Sequence, residues 1–320
     1  MISGGSFSGR FDLSIHDAAT GRLRKSLSFP NLITNYGLIA YCSSNVFRSI
    51  RAAVGKGTKV PAPEDTLLDS FFIATTATGE LRGNASTPSA PDWISSTTVT
   101  LRFTAGTFNG DTLSEIGIMR GDVAYNVSGE LWCRALILDA MGNPSTITVK
   151  NNEYLDVKYT LFYHPDLTDT EFQFEMDGFT YNCVARAAKV NDGVFKNLGY
   201  GHALARGPLS ILSVFSSQTL GEVTGEPAGS RINFNKNINN YNYSNERPYS
   251  YTSTYPLGLG EGNFSGGIGS MVLGTVELFA YGIMNKTQVS FDPKLPKDIN
   301  TEMNFTLSKT ISRWIPPATP

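Results

Sequence analysis

The chain has 320 residues, 41% of them hydrophobic and 17% charged, with a formal net charge of −2. Such a length allows two domains or one large β domain with a proper core. The near-zero charge excludes a strong field toward nucleic acid or anionic lipid, and low charge with 31 glycines is poor material for long helices.

In chain order, residues 9–29 read as a hairpin. Phe11, Leu13 and Ile15 alternate with Asp12, Ser14 and His16, residues 17–21 turn, and Leu23 to Phe29 returns. Asn31–Ser44 changes period and predicts one short helix, with Asn35 or Thr34 as its N-cap. A strand at Ile50–Gly55 leads into the loop Gly55–Asp65 (GKGTKVPAPED), a helical turn at Thr66–Ser70 and a strand at Phe71–Thr76. Gly79–Trp93 is a polar excursion. Thr97–Phe108 then alternates Val99, Leu101 and Phe103 against Thr98, Thr100 and Arg102, which predicts a strand.

The stretch Leu113–His164 organises the first half. Apolar runs at Leu131–Leu138 and Tyr154–Tyr163 flank a turn (Asp139, Gly142, Asn143, Pro144) and a short strand at Ser145–Val149. In the last run Leu155, Val157, Tyr159, Leu161 and Tyr163 share one face. The linker-like PDLTDTEF after His164 places a domain boundary between residues 165 and 166. Strands are expected beyond it at Phe172–Phe179, Tyr181–Val190, Ser210–Ser216, Ser230–Asn235, Met271–Met284, Gln288–Phe291 and Glu302–Lys309, with a Pro-rich turn at Asp292–Pro296. Ile116-Gly-Ile-Met119 is echoed by Tyr281-Gly-Ile-Met284. Thr146–Val149 and Leu155–Leu161 are echoed by Gln288–Phe291 and Met303–Leu307, so a tandem duplication is expected.

No catalytic constellation emerges. Cys42, Cys133 and Cys183 lack CxxC or His spacing and read as small core hydrophobes. Gly55–Gly57 and Gly258–Gly269 fail the phosphate-loop and dinucleotide patterns. His16, His164 and His202 have no nucleophile setting. His164 with Asp166, Asp169 and Glu171 suggests either a metal site or, the favoured reading, a solvated turn. Glu115, Glu130, Asp139 and Glu153 cannot be paired as glycosidase acids from the sequence. The expectation is therefore a non-enzyme without metal or cofactor; the N-terminus shows no apolar h-region of a secretory signal, and no apolar run approaches the ~18 residues of a membrane span.

Two segments suggest recognition surfaces. Asn233–Pro256 is dense in Asn and Tyr, reads as too polar for a core, and supplies Tyr241, Tyr243, Arg247, Tyr249, Tyr251 and Tyr255 as candidate partner contacts. The Pro-rich tail from Trp314 to Pro320 supplies Trp314.

The first half resembles virion structural proteins of tailed bacteriophages, of the tail, tail-fibre, neck and baseplate type. Phe29–Gly37 (FPNLITNYG), Gly55–Leu67, Leu113–Ile118 (LSEIGI), Leu131–Ala135 (LWCRA) and Tyr154–Tyr159 carry the resemblance. It covers roughly Phe11–His164 and implies a β-sandwich assembly module without catalytic residues. The second half departs from the pattern: it has no Asn-Tyr-Gly helix start, and its Asn/Tyr-rich loop has no counterpart.

The combined expectation is an all-β chain of two tandem β-sandwich-like domains, 1–165 and 166–320, with one short helix in the first. It would be a virion component made in the host cytoplasm, a homo-oligomer contacting other virion proteins, with no nucleic-acid partner and no membrane insertion. The alternative is a receptor-binding fibre or tip protein that recognises a host surface glycan or protein. A polysaccharide-degrading tailspike is disfavoured by the lack of repetitive rungs and paired acids.

Overall fold

The computed structural model describes residues 2–42, 49–79, 86–121, 130–192, 209–237, 241–243, 249–276 and 286–315. The fold is all-β with one short helix. In chain order the elements are β1 (Ile2–Asp17), β2 (Leu23–Ile33), α1 (Asn35–Cys42), β3 (Ile50–Gly55), β4 (Phe71–Ala74), β5 (Ser95–Phe103), β6 (Asp111–Leu113), β7 (Glu115–Arg120), β8 (Leu131–Leu136), β9 (Ile147–Val149) and β10 (Glu153–His164). There follow β11 (Thr170–Met176), β12 (Phe179–Ala188), β13 (Leu209–Phe215), β14 (Arg231–Asn237), β15 (Tyr241–Tyr243), β16 (Ser250–Leu257), β17 (Ile268–Val276), β18 (Lys286–Leu295) and β19 (Met303–Arg313).

The chain divides into two compact units. One comprises Phe7–Asn84, Ser96–Phe162 and Arg313–Pro320, the other Met1–Ser6, Ala85–Ser95 and Tyr163–Ser312. The long crossing falls at Phe162/Tyr163, and both termini and the Ala85–Ser95 segment are exchanged as well.

In the first unit β1 and β2 form the expected hairpin, with Phe11 opposite Phe29 and Leu13 opposite Leu27. Its turn is built by Asp17, whose carboxylate accepts the Thr20 N–H at 2.9 Å. β10 pairs both β1 and β5. Leu155, Val157, Tyr159, Leu161 and Tyr163 are all buried, as period-two alternation requires. β2 serves two sheets: residues 23–31 pair β1, while Leu32 and Ile33 pair Arg134 and Cys133 of β8. The second layer continues from β8 through β7 and β3 to β4.

Thr34 is the N-cap of α1. Its hydroxyl accepts the Gly37 N–H at 3.0 Å, and its own N–H donates to the Trp132 carbonyl at 3.0 Å. The helix thereby lies on β8, which is buried along its whole length rather than on one face. Gly37 makes the approach possible, because a Cβ there would collide with the Trp132 carbonyl oxygen.

In the second unit six antiparallel strands run in the order β11-β12-β18-β17-β13-β14. Asp177 and Gly178, both at positive φ (52° and 78°), close the β11–β12 hairpin with the two-residue loop that suits strand twist. Tyr181, Leu212, Met271 and Phe291 on one face of this sheet meet Tyr255, Leu257 and Met303 of β16 and β19 in one core.

Several expectations are corrected. Thr66–Ser70 is not a helical turn; its backbone donors are diverted elsewhere, as described below. Asp292–Pro296 is not a turn, since β18 runs on to Leu295. Nor does the topology repeat: β9 pairs only β6 in a two-stranded ribbon, whereas its supposed echo β18 lies inside the six-stranded sheet between β12 and β17. The other echo, Tyr281–Met284, lies outside the described residues, as do the last residues of the expected Met271–Met284 strand.

Candidate functional site

Three of the segments that carry the resemblance, Gly55–Leu67, Leu113–Ile118 and Leu131–Ala135, converge on one buried carboxylate, Glu115. β3 and β7 pair with Gly55 opposite Glu115 and Ala53 opposite Gly117, and β7 and β8 pair with Gly117 opposite Arg134. This register sets Glu115 and Arg134 on the same face of the sheet, where the loop between β3 and β4 closes over them. Both side chains are essentially inaccessible, at 0% and 1% exposure.

The loop is wrapped around Glu115. Its Oε1 accepts the N–H groups of Gly57 (3.0 Å) and Ser70 (2.7 Å), and its Oε2 accepts the Asp69 N–H (3.0 Å) and the Arg134 Nε (3.1 Å). The Arg134 guanidinium also donates to Asp65 Oδ2 at 2.5 Å and to the Lys59 carbonyl at 2.8 Å. Asp65 in turn receives the Ala62 N–H (2.8 Å) and the Lys59 ammonium (3.1 Å), and Asp69 receives the N–H groups of Thr58 and Lys59 (both 3.1 Å). Donors and acceptors of this loop are thus taken up by folding it, which is what burial of charge demands.

Glycine is required where this carboxylate approaches. A Cβ on Gly55 or Gly57 would collide with Glu115 Oε1. Of the Gly-Lys-Gly run, Gly57 gives its N–H to an anion, and that anion is the chain's own Glu115. The same geometry explains the failed helical turn: Asp69 and Ser70 direct their N–H groups to Glu115 instead of along a helix.

Burial pushes the Asp65 carboxyl up, but the Ala62 N–H, the Lys59 ammonium and the Arg134 guanidinium outweigh it and hold the group below the usual carboxylate range. Beside the network Ala53, Leu68, Met119 and Leu131 form a small apolar cluster under the loop. The hollow next to it, walled also by Leu67 and Glu130, holds about 10 Å³, room for no more than a water.

In the second unit buried polar side chains again pin loops. Gln288, with 0% exposure, accepts the Gly221 N–H at 2.8 Å and donates to the carbonyls of Ala187 (3.1 Å) and Gly221 (2.9 Å). Lys297, at 4% exposure, directs Nζ to Asn263 Oδ1 (3.0 Å) and the Asp298 carbonyl (2.8 Å). The His164 group does not gather. Asp169 is engaged by Arg186 at 2.6 and 2.7 Å, Asp166 accepts the Thr168 N–H, and Glu171 is exposed on β11. Burial lowers the His164 pKa, against the opposing charge of Asp92. Among the described residues no group of three or more His, Cys, Asp or Glu side chains is placed to hold a metal ion.

The candidate partner contacts scatter. Tyr241 and Tyr243 lie in β15 and Tyr251 in β16, where only the backbone is described, and Arg247 lies outside the described residues. Tyr249 and Tyr255 are buried at 6% and 1% exposure, and Tyr255 belongs to the core of the second unit. The reading of Asn233–Pro256 as too polar for a core is therefore corrected. In β16 alternate residues turn inward, so a polar segment can still bury Tyr255 and Leu257. Trp314 is 37% exposed, and its N–H donates to the Phe7 carbonyl at 2.8 Å.

Sequence reasoning quoted Glu115, Arg134 and Asp65 without assigning them a role. The available signal was a charge inside an apolar strand, Arg134 within LWCRAL and Glu115 before IGI, since a buried charge needs a partner. Compared with family models, with curated proteins and with solved structures, the chain matches none.

Proposed function

We propose that this chain is a non-enzymatic structural subunit of a tailed-phage virion, a tail, neck or baseplate component that assembles through its β-rich units. One observation carries the reading. Within the motif that resembles such proteins, Gly57, Lys59 and Asp65 join Glu115 and Arg134 in one hydrogen-bonded network, centred on that buried pair, which holds a loop to a sheet. Such residues supply rigidity, which an assembly module needs, and leave no nucleophile or acid–base pair at that place to do chemistry. The burial of Tyr255 and Tyr249 also removes two of the side chains on which a distal sugar-stacking surface would rest.

The test is to purify particles from cells that express the chain's gene with its neighbours and to identify proteins that co-band with intact particles by mass spectrometry. Stoichiometric recovery in particles is expected. Absence from washed particles overturns the reading. Recovery at a tip, with binding to cells that free sugar competes away, would establish the receptor-binding alternative instead.

A further inference from the structure

The six-stranded sheet of the second unit ends in two complementary edges. β11 (TEFQFEM) carries Glu171 and Glu175 and no basic residue, whereas β14 (RINFNKN) carries Arg231 and Lys236 and no acidic one. Among the described residues neither strand has a ladder partner on its outer side. Glu171 and Glu175 are exposed and make no ion pair among the described residues. Beside β14, Glu226 is shared by two cations, Lys189 at 2.7 Å and Arg231 at 2.5 Å.

We infer that β14 of one copy pairs with β11 of a second copy, continuing the sheet head to tail; this rests on the assembly role proposed above and names its partner and contact. Direction permits it. With all neighbours antiparallel, β11 and β14 point in opposite senses, so a copy added in the same orientation forms another antiparallel ladder. Register permits it too. Setting Arg231 opposite Glu175 places Ile232 opposite Phe174, Asn233 opposite Gln173 and Phe234 opposite Phe172. Each pair then joins like face to like face, because Phe174, Ile232 and Phe234 pack toward the core while Arg231, Asn233, Gln173 and Glu175 are exposed. Phe172, 37% exposed on its own chain, gains an aromatic neighbour. A two-fold pairing of β11 with itself, centred on Gln173, would oppose Glu171 to Glu175 and is disfavoured by like charge. Head-to-tail contacts close into a ring or extend as a filament according to the rotation between copies.

Light scattering over a concentration series tests this with the full chain. The wild type should self-associate. E175K and R231E should each associate about 10-fold more weakly or worse, with circular dichroism spectra like the wild type. An equimolar mixture of the two variants should recover association, since each then offers the other an opposite charge. A wild type that stays monomeric at every concentration, or folded variants that associate as it does, overturns the edge pairing. So does a mixture that recovers nothing. The outcome is separable from the parent reading: recovery in particles with edge variants that associate normally sinks only the pairing, while association without recovery in particles sinks only the virion role.

Discussion

Replacing Arg134 with methionine keeps much of the side-chain volume and removes the cation between Asp65 and Glu115. Three contacts vanish: those to Asp65, to Glu115 and to the Lys59 carbonyl. Glu115 still holds the N–H groups of Gly57, Asp69 and Ser70, and Asp65 still holds Ala62 and Lys59. The loss should therefore lie near the lower end of the range for stripping one partner from a buried ion network, about 3 kcal/mol. That is a large share of the roughly 5–15 kcal/mol that holds a domain together. Urea denaturation of both proteins, followed by fluorescence, measures it. The effect should depend on pH. In the wild type the folded Asp65 pKa is depressed, so its contribution is full above about pH 4, the ordinary carboxylate value, and is lost only as pH falls through the depressed folded value. Without Arg134 the folded Asp65 carboxyl loses part of what depresses it, so the variant has less pH-dependent stability to lose in acid. The gap between the proteins should thus narrow in acid. Adding Glu115→Gln to Arg134→Met should cost less than the sum of the two single changes, with a coupling of about 1–3 kcal/mol. A cost below about 1 kcal/mol that ignores pH would refute the claim that this network holds the loop.

Three further outcomes follow from other parts of the molecule. Gly37→Ala should destabilise although alanine is the better helix former by about 1 kcal/mol, because its Cβ would press on the Trp132 carbonyl; a higher melting temperature would show that α1 can shift off β8. Cys133 and Cys183, whose thiols burial pushes up to about 12 and about 11, should resist iodoacetamide in a Cys42→Ser background until the chain is unfolded; rapid native-state labelling would contradict their burial. Lys309 is 2% exposed, and burial lowers its pKa to about 7. The unfolded chain then binds more protons at this site between about pH 7 and 10. Wild-type stability relative to Lys309→Met should rise with pH across that window, and a flat difference in denaturation free energy would count against it.

Local pattern alone determined much of this protein. Period-two runs located the β1–β2 hairpin and the face shared by Leu155 to Tyr163, and the loss of that period marked α1, because each depends on neighbours within a few residues. Where long-range pairing intervened, local signals misled. The Asn/Tyr-rich composition of Asn233–Pro256 concealed that β16 turns Tyr255 into a core shared with β12, β17 and β18. The apparent repeat of Thr146–Val149 at Gln288–Phe291 dissolved in different sheet neighbours. Only the tertiary structure could decide the fate of Glu115, Arg134 and Asp65. Arg134 and Asp65 lie 69 positions apart in the chain and meet only when β7 and β8 pair and the loop folds over them. A charged side chain reads as solvent-exposed by composition, and it becomes a structural staple only when the surrounding fold removes water from it and supplies both partners.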